Sequence, residues 1–198
     1  MSHCWKLASL AAIVVALLAG RSNAGGVKVG DKAPLWSALA GVDGKQHSLS
    51  DYQSNKNVVV LVFTCNTCPV AVAYEDRLVA LARDYRDKGV QLVAINVKHG
   101  DADGLDQMKT RAAEKEFNFP YLSDPSQASG RDYGARVTPH VFVIDQQGKI
   151  AYVGAVDNDM TAEKATKHYL RDTIDALLAG KKPPQDKTKP FGCGIRYQ

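Results

Sequence analysis

Six consecutive apolar residues, Val58-Val59-Val60-Leu61-Val62-Phe63, are followed one position later by Cys65-Asn66-Thr67-Cys68-Pro69. A continuous β-branched and apolar run has no polar face to turn towards water. It reads as a strand buried on both faces, and such a strand needs other elements above and below it. The next residues supply one. Over residues 70–86 the apolar positions Val70, Tyr74, Leu78, Leu81 and Tyr85 recur every three or four residues, with Glu75, Asp76, Arg77, Arg83 and Asp84 between them. That is the pattern of an amphipathic helix, closed near Gly89. The two cysteines therefore stand where a buried strand passes into a helix.

Residues 90–96 repeat the strand pattern and residues 105–117 the helical one, so the chain is α/β, with parallel strands joined by helical crossovers. Residues 126–133 are read as a short helix ended by Gly134. Residues 140–145 and 149–153 form a hairpin turned at Gln147-Gly148, and residues 161–178 a last helix stopped by Gly180. Asp157 and Asp159 are read as loop and capping residues ahead of that helix. Asp101, Asp103 and Asp106 are read as a solvated loop, because the glutamate that an EF-hand needs at its twelfth position falls on Ala112. Residues 181–198, rich in lysine and proline, are expected to cross the surface as a tail carrying Cys193.

The beginning of the chain has a different character. Lys6 precedes thirteen uncharged residues, 7–19, and then Ser22-Asn23-Ala24, the layout of a secretory signal peptide cleaved after Ala24. The apolar run is shorter than the ~20 residues that span a bilayer, which sets an uncleaved anchor second. The expected organisation is thus a signal peptide at 1–24, one domain at 25–180 and a tail at 181–198, in a protein exported to the periplasm. Removing Lys6 and Arg21 from 25 basic residues leaves 23 against 21 acidic ones, a near-neutral balance that argues against nucleic acid as a partner. With 45% hydrophobic and 23% charged residues the chain can bury a core.

Export also removes Cys4 and places the remaining Cys65, Cys68 and Cys193 where disulfides persist and exchange. Three cysteines cannot pair off within one chain, so at least one is free, metal-bound or available to another molecule. At a helix start the unpaired N–H groups favour thiolate over thiol, which makes Cys65 the expected nucleophile. Cys68, about one helical turn later, can attack a mixed disulfide on Cys65 and resolve it. A structural zinc site is the other use of this spacing. It needs four ligands, and the sequence offers neither a second Cys-x-x-Cys nor paired histidines.

The strand VVVLVF, then CNTCP, then a helix, and much later Thr138-Pro139 before another strand, resembles the thioredoxin superfamily. Within it, CNTCPVAVAYEDRLVAL, YRDKGVQLVAIN, FPYLSD and TPHVFVIDQQGKIAYVG resemble a bacterial redoxin branch close to the peroxiredoxins. The resemblance implies a thioredoxin-like fold, a central mixed sheet flanked by helices. It also implies a cis bond at Thr138-Pro139 in a loop facing the cysteines, with Thr138 offering backbone groups to a bound peptide or thiol. The chain departs from the superfamily at three points. Thioredoxin has a buried aspartate six residues before its first cysteine, where this chain has Val59. Between the cysteines thioredoxin has Gly-Pro, and some oxidases a histidine before the second cysteine, where this chain has Asn66-Thr67. A peroxiredoxin site with Cys68 as the peroxidatic cysteine requires a threonine and a proline where this chain has Cys65 and Leu61, Thr64 being one residue out of register.

The leading expectation is therefore a thiol–disulfide oxidoreductase without a cofactor. Its catalytic pair is Cys65 and Cys68, its substrate loop Thr138-Pro139, and its partners proteins or small molecules bearing thiols or disulfides. His140 and Cys193 are candidate auxiliary residues: His140 as a proton carrier at the rim of the site or a bystander, Cys193 as a further resolving thiol or an unused one. The alternative is a copper-binding protein resembling the Sco type, with Cys65, Cys68 and His140 as soft ligands, and after it a thiol peroxidase.

Overall fold

The computed structural model describes residues 25–53 and 57–198; the expected signal peptide lies outside the described residues. The elements are β1 (Leu39–Gly41), β2 (Gln46–His47), α1 (Ser50–Gln53), β3 (Val58–Thr64), α2 (Pro69–Tyr85), β4 (Val90–Asn96) and α3 (Leu105–Glu114), followed by β5 (Tyr121–Ser123), α4 (Ala128–Tyr133), β6 (Val137–Thr138), β7 (His140–Ile144), β8 (Ile150–Gly154), α5 (Tyr169–Leu178) and β9 (Cys193–Gly194). Seven strands form one mixed sheet in the order β2-β1-β5-β4-β3-β7-β8. Strand β3 runs parallel to β4 from Val58↔Val90 to Thr64↔Asn96, and antiparallel to β7 from Val59↔Ile144 to Phe63↔His140. This is the thioredoxin-like arrangement that the resemblance implied.

Every residue of β3 is buried. Successive side chains point to opposite faces, so Val58, Val60 and Val62 join a core with Tyr74, Leu78, Leu81 and Tyr85 of α2 and Leu170 and Ile174 of α5. Val59, Leu61 and Phe63 join a second core with Trp36, Leu49, Tyr52, Tyr133 and Phe142. Each buried Val or Leu contributes roughly 1.5–3 kcal/mol of transfer free energy, and β3 supplies both layers at once. The parallel pair β3 and β4 ends on one edge, and the connections that leave this edge carry the site.

Two sequence expectations are corrected. The last helix begins at Tyr169 rather than at 161, because the Asn158 side chain accepts hydrogen bonds from the N–H groups of Thr166 (2.9 Å) and Lys167 (2.9 Å) and holds the preceding segment in a loop. Asp157 does not cap that helix. It is buried and accepts from the Tyr74 hydroxyl (2.6 Å) and the Arg77 guanidinium, tying α2 to the segment after β8. The segment 181–198 runs over the surface and is held to it at several points: Thr188 N donates to Val153 O (3.1 Å), Phe191 packs on Tyr74, and Ile195 N donates to Arg136 O (2.9 Å). No helix among the described residues is long and apolar enough to cross a membrane.

Candidate active site

Strand β3 delivers Cys65 to the edge of the sheet, and helix α2 starts at Pro69, a residue suited to the first helical position because its missing N–H is not needed there. Cys68 is therefore the N-cap, and its sulfur accepts a hydrogen bond from Ala71 N (3.4 Å). The Thr138-Pro139 bond is cis. It brings Thr138 between the two thiols, with Oγ1 at 3.4 Å from Cys65 Sγ and the carbonyl oxygen accepting from Cys68 Sγ at 3.0 Å. Cys65, Cys68, Thr138 and Pro139 thus meet at one point. Both thiols of the pair are reduced and buried, Cys65 at 2% exposure and Cys68 at 0%.

The charge falls on the other sulfur from the one expected. Hydrogen bonding from Cys65 holds the Cys68 thiol down to about 4 against the penalty of burial, with smaller help from Cys193, Thr138 and the Ala71 amide. Cys65, donating to Cys68, is pushed up from its usual value by that same bond and by burial, and the Asp103 carboxylate adds to the rise. The helix register adds to this: with α2 beginning at Pro69, an unpaired amide of its first turn, that of Ala71, reaches the N-cap sulfur of Cys68.

Asn66 and Thr67, between the cysteines, are held from below by a residue that the sequence placed in a solvated loop. Asp103 is only 4% exposed. Its carboxylate accepts from Asn66 N (2.7 Å), Thr67 Oγ1 (2.7 Å) and Asn96 Nδ2 (3.2 Å), and Lys98 Nζ stands 3.9 Å away. Tyr121 OH donates to Asn66 Oδ1 (2.9 Å), and Asn66 Nδ2 to Ala102 O (2.9 Å). The available signal was position: Asp103 follows β4, at the carboxyl edge where open α/β sheets gather their functional loops. This carboxylate reaches the cysteine loop from the β4 connection, while Val59 fills the place of thioredoxin's buried aspartate with a methyl-lined core contact.

Of the roles left open for His140, its surroundings favour the bystander. It lies in β7 at 2% exposure, packs on Phe142 with ring centroids 4.5 Å apart, and accepts from Arg136 N through Nδ1 (3.3 Å). Burial, with the Arg136 charge, lowers it to about 4, which favours the neutral imidazole near pH 7. It belongs to the core side of the sheet rather than the rim of the site. Among the described residues no three His, Cys, Asp or Glu side chains are arranged to hold a metal ion, so the copper set of Cys65, Cys68 and His140 is not assembled. Cys193, by contrast, is brought in: β9 pairs with β6 in the register Thr138↔Cys193, and Cys193 packs against Cys65, Cys68 and Ala71.

Residues 28–170 match the family model described as Redoxin. The thiol-disulfide oxidoreductase ResA of Geobacillus thermodenitrificans is 27% identical over 145 residues, covering 72% of this chain and 76% of that protein. Peroxiredoxin-2 of Macaca fascicularis is 27% identical over 192 residues, covering 84% and 92%. Among solved structures, an uncharacterized conserved protein from Geobacillus kaustophilus superposes with a TM-score of 0.80 at 34% identity over 86% of this chain and 93% of that one.

Proposed function

This chain belongs to the redoxin family, and we propose that it is an exported thiol–disulfide oxidoreductase working through Cys65 and Cys68. The observation that carries this reading is the clamp on Thr138: two buried thiols, one of them an N-cap, contact the side chain and the carbonyl of the residue before a cis-proline. The pair cycles between dithiol and disulfide. In the fully protonated dithiol Cys68 donates to Thr138 O; Cys68 is the first of the pair to ionise, and the remaining proton stays on Cys65, which then donates to the Cys68 thiolate. A mixed disulfide formed on one sulfur is then within reach of the other. The likeness to a protein named thiol-disulfide oxidoreductase supports the reaction class. The partners on this reading are proteins or small molecules that bear thiols or disulfides. Export rests on the leader at 1–24, and N-terminal sequencing of the secreted form should begin at Gly25.

The test is equilibration of the purified protein against glutathione buffers, followed by mapping of the bridge. A reversible two-electron couple at Cys65–Cys68, between roughly −120 and −270 mV, is the expected result. Absence of such a couple removes the reading. Rapid consumption of hydrogen peroxide with sulfenic acid at Cys68 favours the thiol peroxidase instead, towards which the likeness to Peroxiredoxin-2 and the charged Cys68 sulfur point.

A further inference from the structure

The two thiols assigned to the chemistry are both sealed from solvent, whereas Cys193 is half-buried and reaches the surface. Its position is built rather than incidental. Strand β9 lies antiparallel to β6, so that Cys193 faces Thr138, the residue that already contacts both members of the pair. Gly192 passes so close to this loop that a Cβ there would stand 2.0 Å from Thr138 O, at a backbone φ of +151°. Only glycine fits. Beyond Cys193 the segment is fixed by Ile195 N donating to Arg136 O (2.9 Å), Tyr197 OH to Ala135 O (2.7 Å) and Gln198 N to Gln127 Oε1 (2.9 Å). Cys193 packs against the cluster of Cys65, Cys68 and Ala71. On its open side is a cleft of about 700 Å³ whose lining includes Lys98, His99, Thr138, Cys193 and Arg196 but neither Cys65 nor Cys68.

We propose that Cys193 is a third redox thiol, the port through which a small carboxylate-bearing disulfide, bound in the Lys98–Arg196 cleft, exchanges with the buried pair. The proposal rests on the thiol–disulfide reading of Cys65 and Cys68. The volume suits a small ligand, and the two cations suit its carboxylates. Cys193, its proton passing to the neighbouring Cys68 sulfur, attacks one sulfur of the disulfide; a bond from Cys193 to that sulfur forms, the ligand's S–S bond breaks, and the first thiol leaves with that proton. The Cys68 thiolate then attacks the Cys193 sulfur, forming a Cys68–Cys193 bridge and releasing the second thiol. Finally the Cys65 sulfur attacks Cys68 as its proton passes to the leaving Cys193 sulfur, forming Cys65–Cys68 and returning Cys193 as a thiol. The ligand disulfide is reduced to two thiols and the pair is oxidised, with no further reagent. The reverse sequence oxidises two small thiols.

Oxidised glutathione is the probe. The reduced protein, its Cys65→Ser variant and its Cys193→Ser variant are each mixed with it, quenched with acid and a maleimide, and mapped by mass spectrometry. Cys65→Ser should accumulate a Cys68–Cys193 bridge and release both glutathione halves. Glutathione left on Cys68 beside a free Cys193 overturns the proposal. Cys193→Ser, altered only in the tail, should react about tenfold more slowly or worse, because the one thiol of the three that reaches the surface is gone; an unchanged rate also overturns it. A wild-type protein that ends with a Cys65–Cys68 bridge shows the pair to be working, so that either failure then counts against Cys193 alone. A wild-type protein that never forms that bridge removes both readings.

Discussion

Asp103 illustrates how much of the site depends on a side chain that carries no reactive group. One carboxylate holds the backbone of Asn66 and the hydroxyl of Thr67, and thereby the spacing of the cysteines on either side. Asp103→Asn keeps the shape but replaces one acceptor oxygen with a donor, which leaves a buried hydrogen bond unmade and should cost about 1–3 kcal/mol of stability. It also removes a negative charge that pushes Cys65 up, so pH-dependent alkylation should show Cys65 reacting at lower pH than in the parent. Unchanged alkylation in a folded Asp103→Asn protein would mean that the carboxylate does not reach the thiols electrostatically. His140 gives the second expectation at this scale. Its folded value, about 4, lies below the usual 6.5, so the unfolded chain binds more protons between these limits. Stability is then full above pH 6.5 and is lost as pH falls towards 4, by roughly 2–3 kcal/mol from this group. His140→Asn should flatten that part of the profile, measured as urea midpoints from pH 4 to 7; an unaltered slope would assign the acid sensitivity to other groups. The cysteine pair and Thr138-Pro139 were legible in the sequence because spacing and order along the chain are visible there. The burial of Asp103 and of His140 was not, since each depends on which neighbour closes over it.

Among the elements, those with a full period of hydrophobic pattern were legible and the shortest were not. Strands β3 and β4 and helix α2 emerge from the sequence within a residue or two of their observed bounds. Strands β1, β2, β5, β6 and β9, of two or three residues each, are too short to show an alternation and exist only through their partners. Strand β9 is the instructive case. Nothing around Cys193 announces a strand, yet Gly192 permits an approach to Thr138 that any Cβ forbids. Gly192→Ala should therefore peel β9 from β6 while the seven-stranded sheet, to which β9 does not belong, stays intact. The expected outcome is faster alkylation of Cys65 and Cys68, now uncovered, with the far-ultraviolet circular dichroism unchanged. Unaltered protection of both cysteines would show that β9 is not their cover.

At the scale of the whole molecule, β3 is the wall between two cores and also the element that ends at Cys65. Its continuous apolar run makes both cores necessary, and the helix and strand patterns that follow it supply the layers from which the fold class was read. The two layers share that strand but no buried cluster: Leu61 packs with Trp36, Leu49 and Phe142, Leu78 with Val60, Val62 and Tyr74. Leu61→Ala and Leu78→Ala should each destabilise by about 2–5 kcal/mol, the range for emptying a leucine site in a packed interior. Because the sheet separates them, the double variant should lose the sum of the two to within about 0.5 kcal/mol. Urea unfolding of the two single variants and the double one measures this directly. A coupling above about 1 kcal/mol would mean that the sheet transmits strain from one core to the other. Cys65, at the end of the shared strand, would then respond to packing changes on either face, and its alkylation rate would shift with each variant. Additivity places the site on a support that neither core moves alone, and the three thiols around Thr138 then owe their geometry to the local contacts of α2, β6, β9 and Asp103.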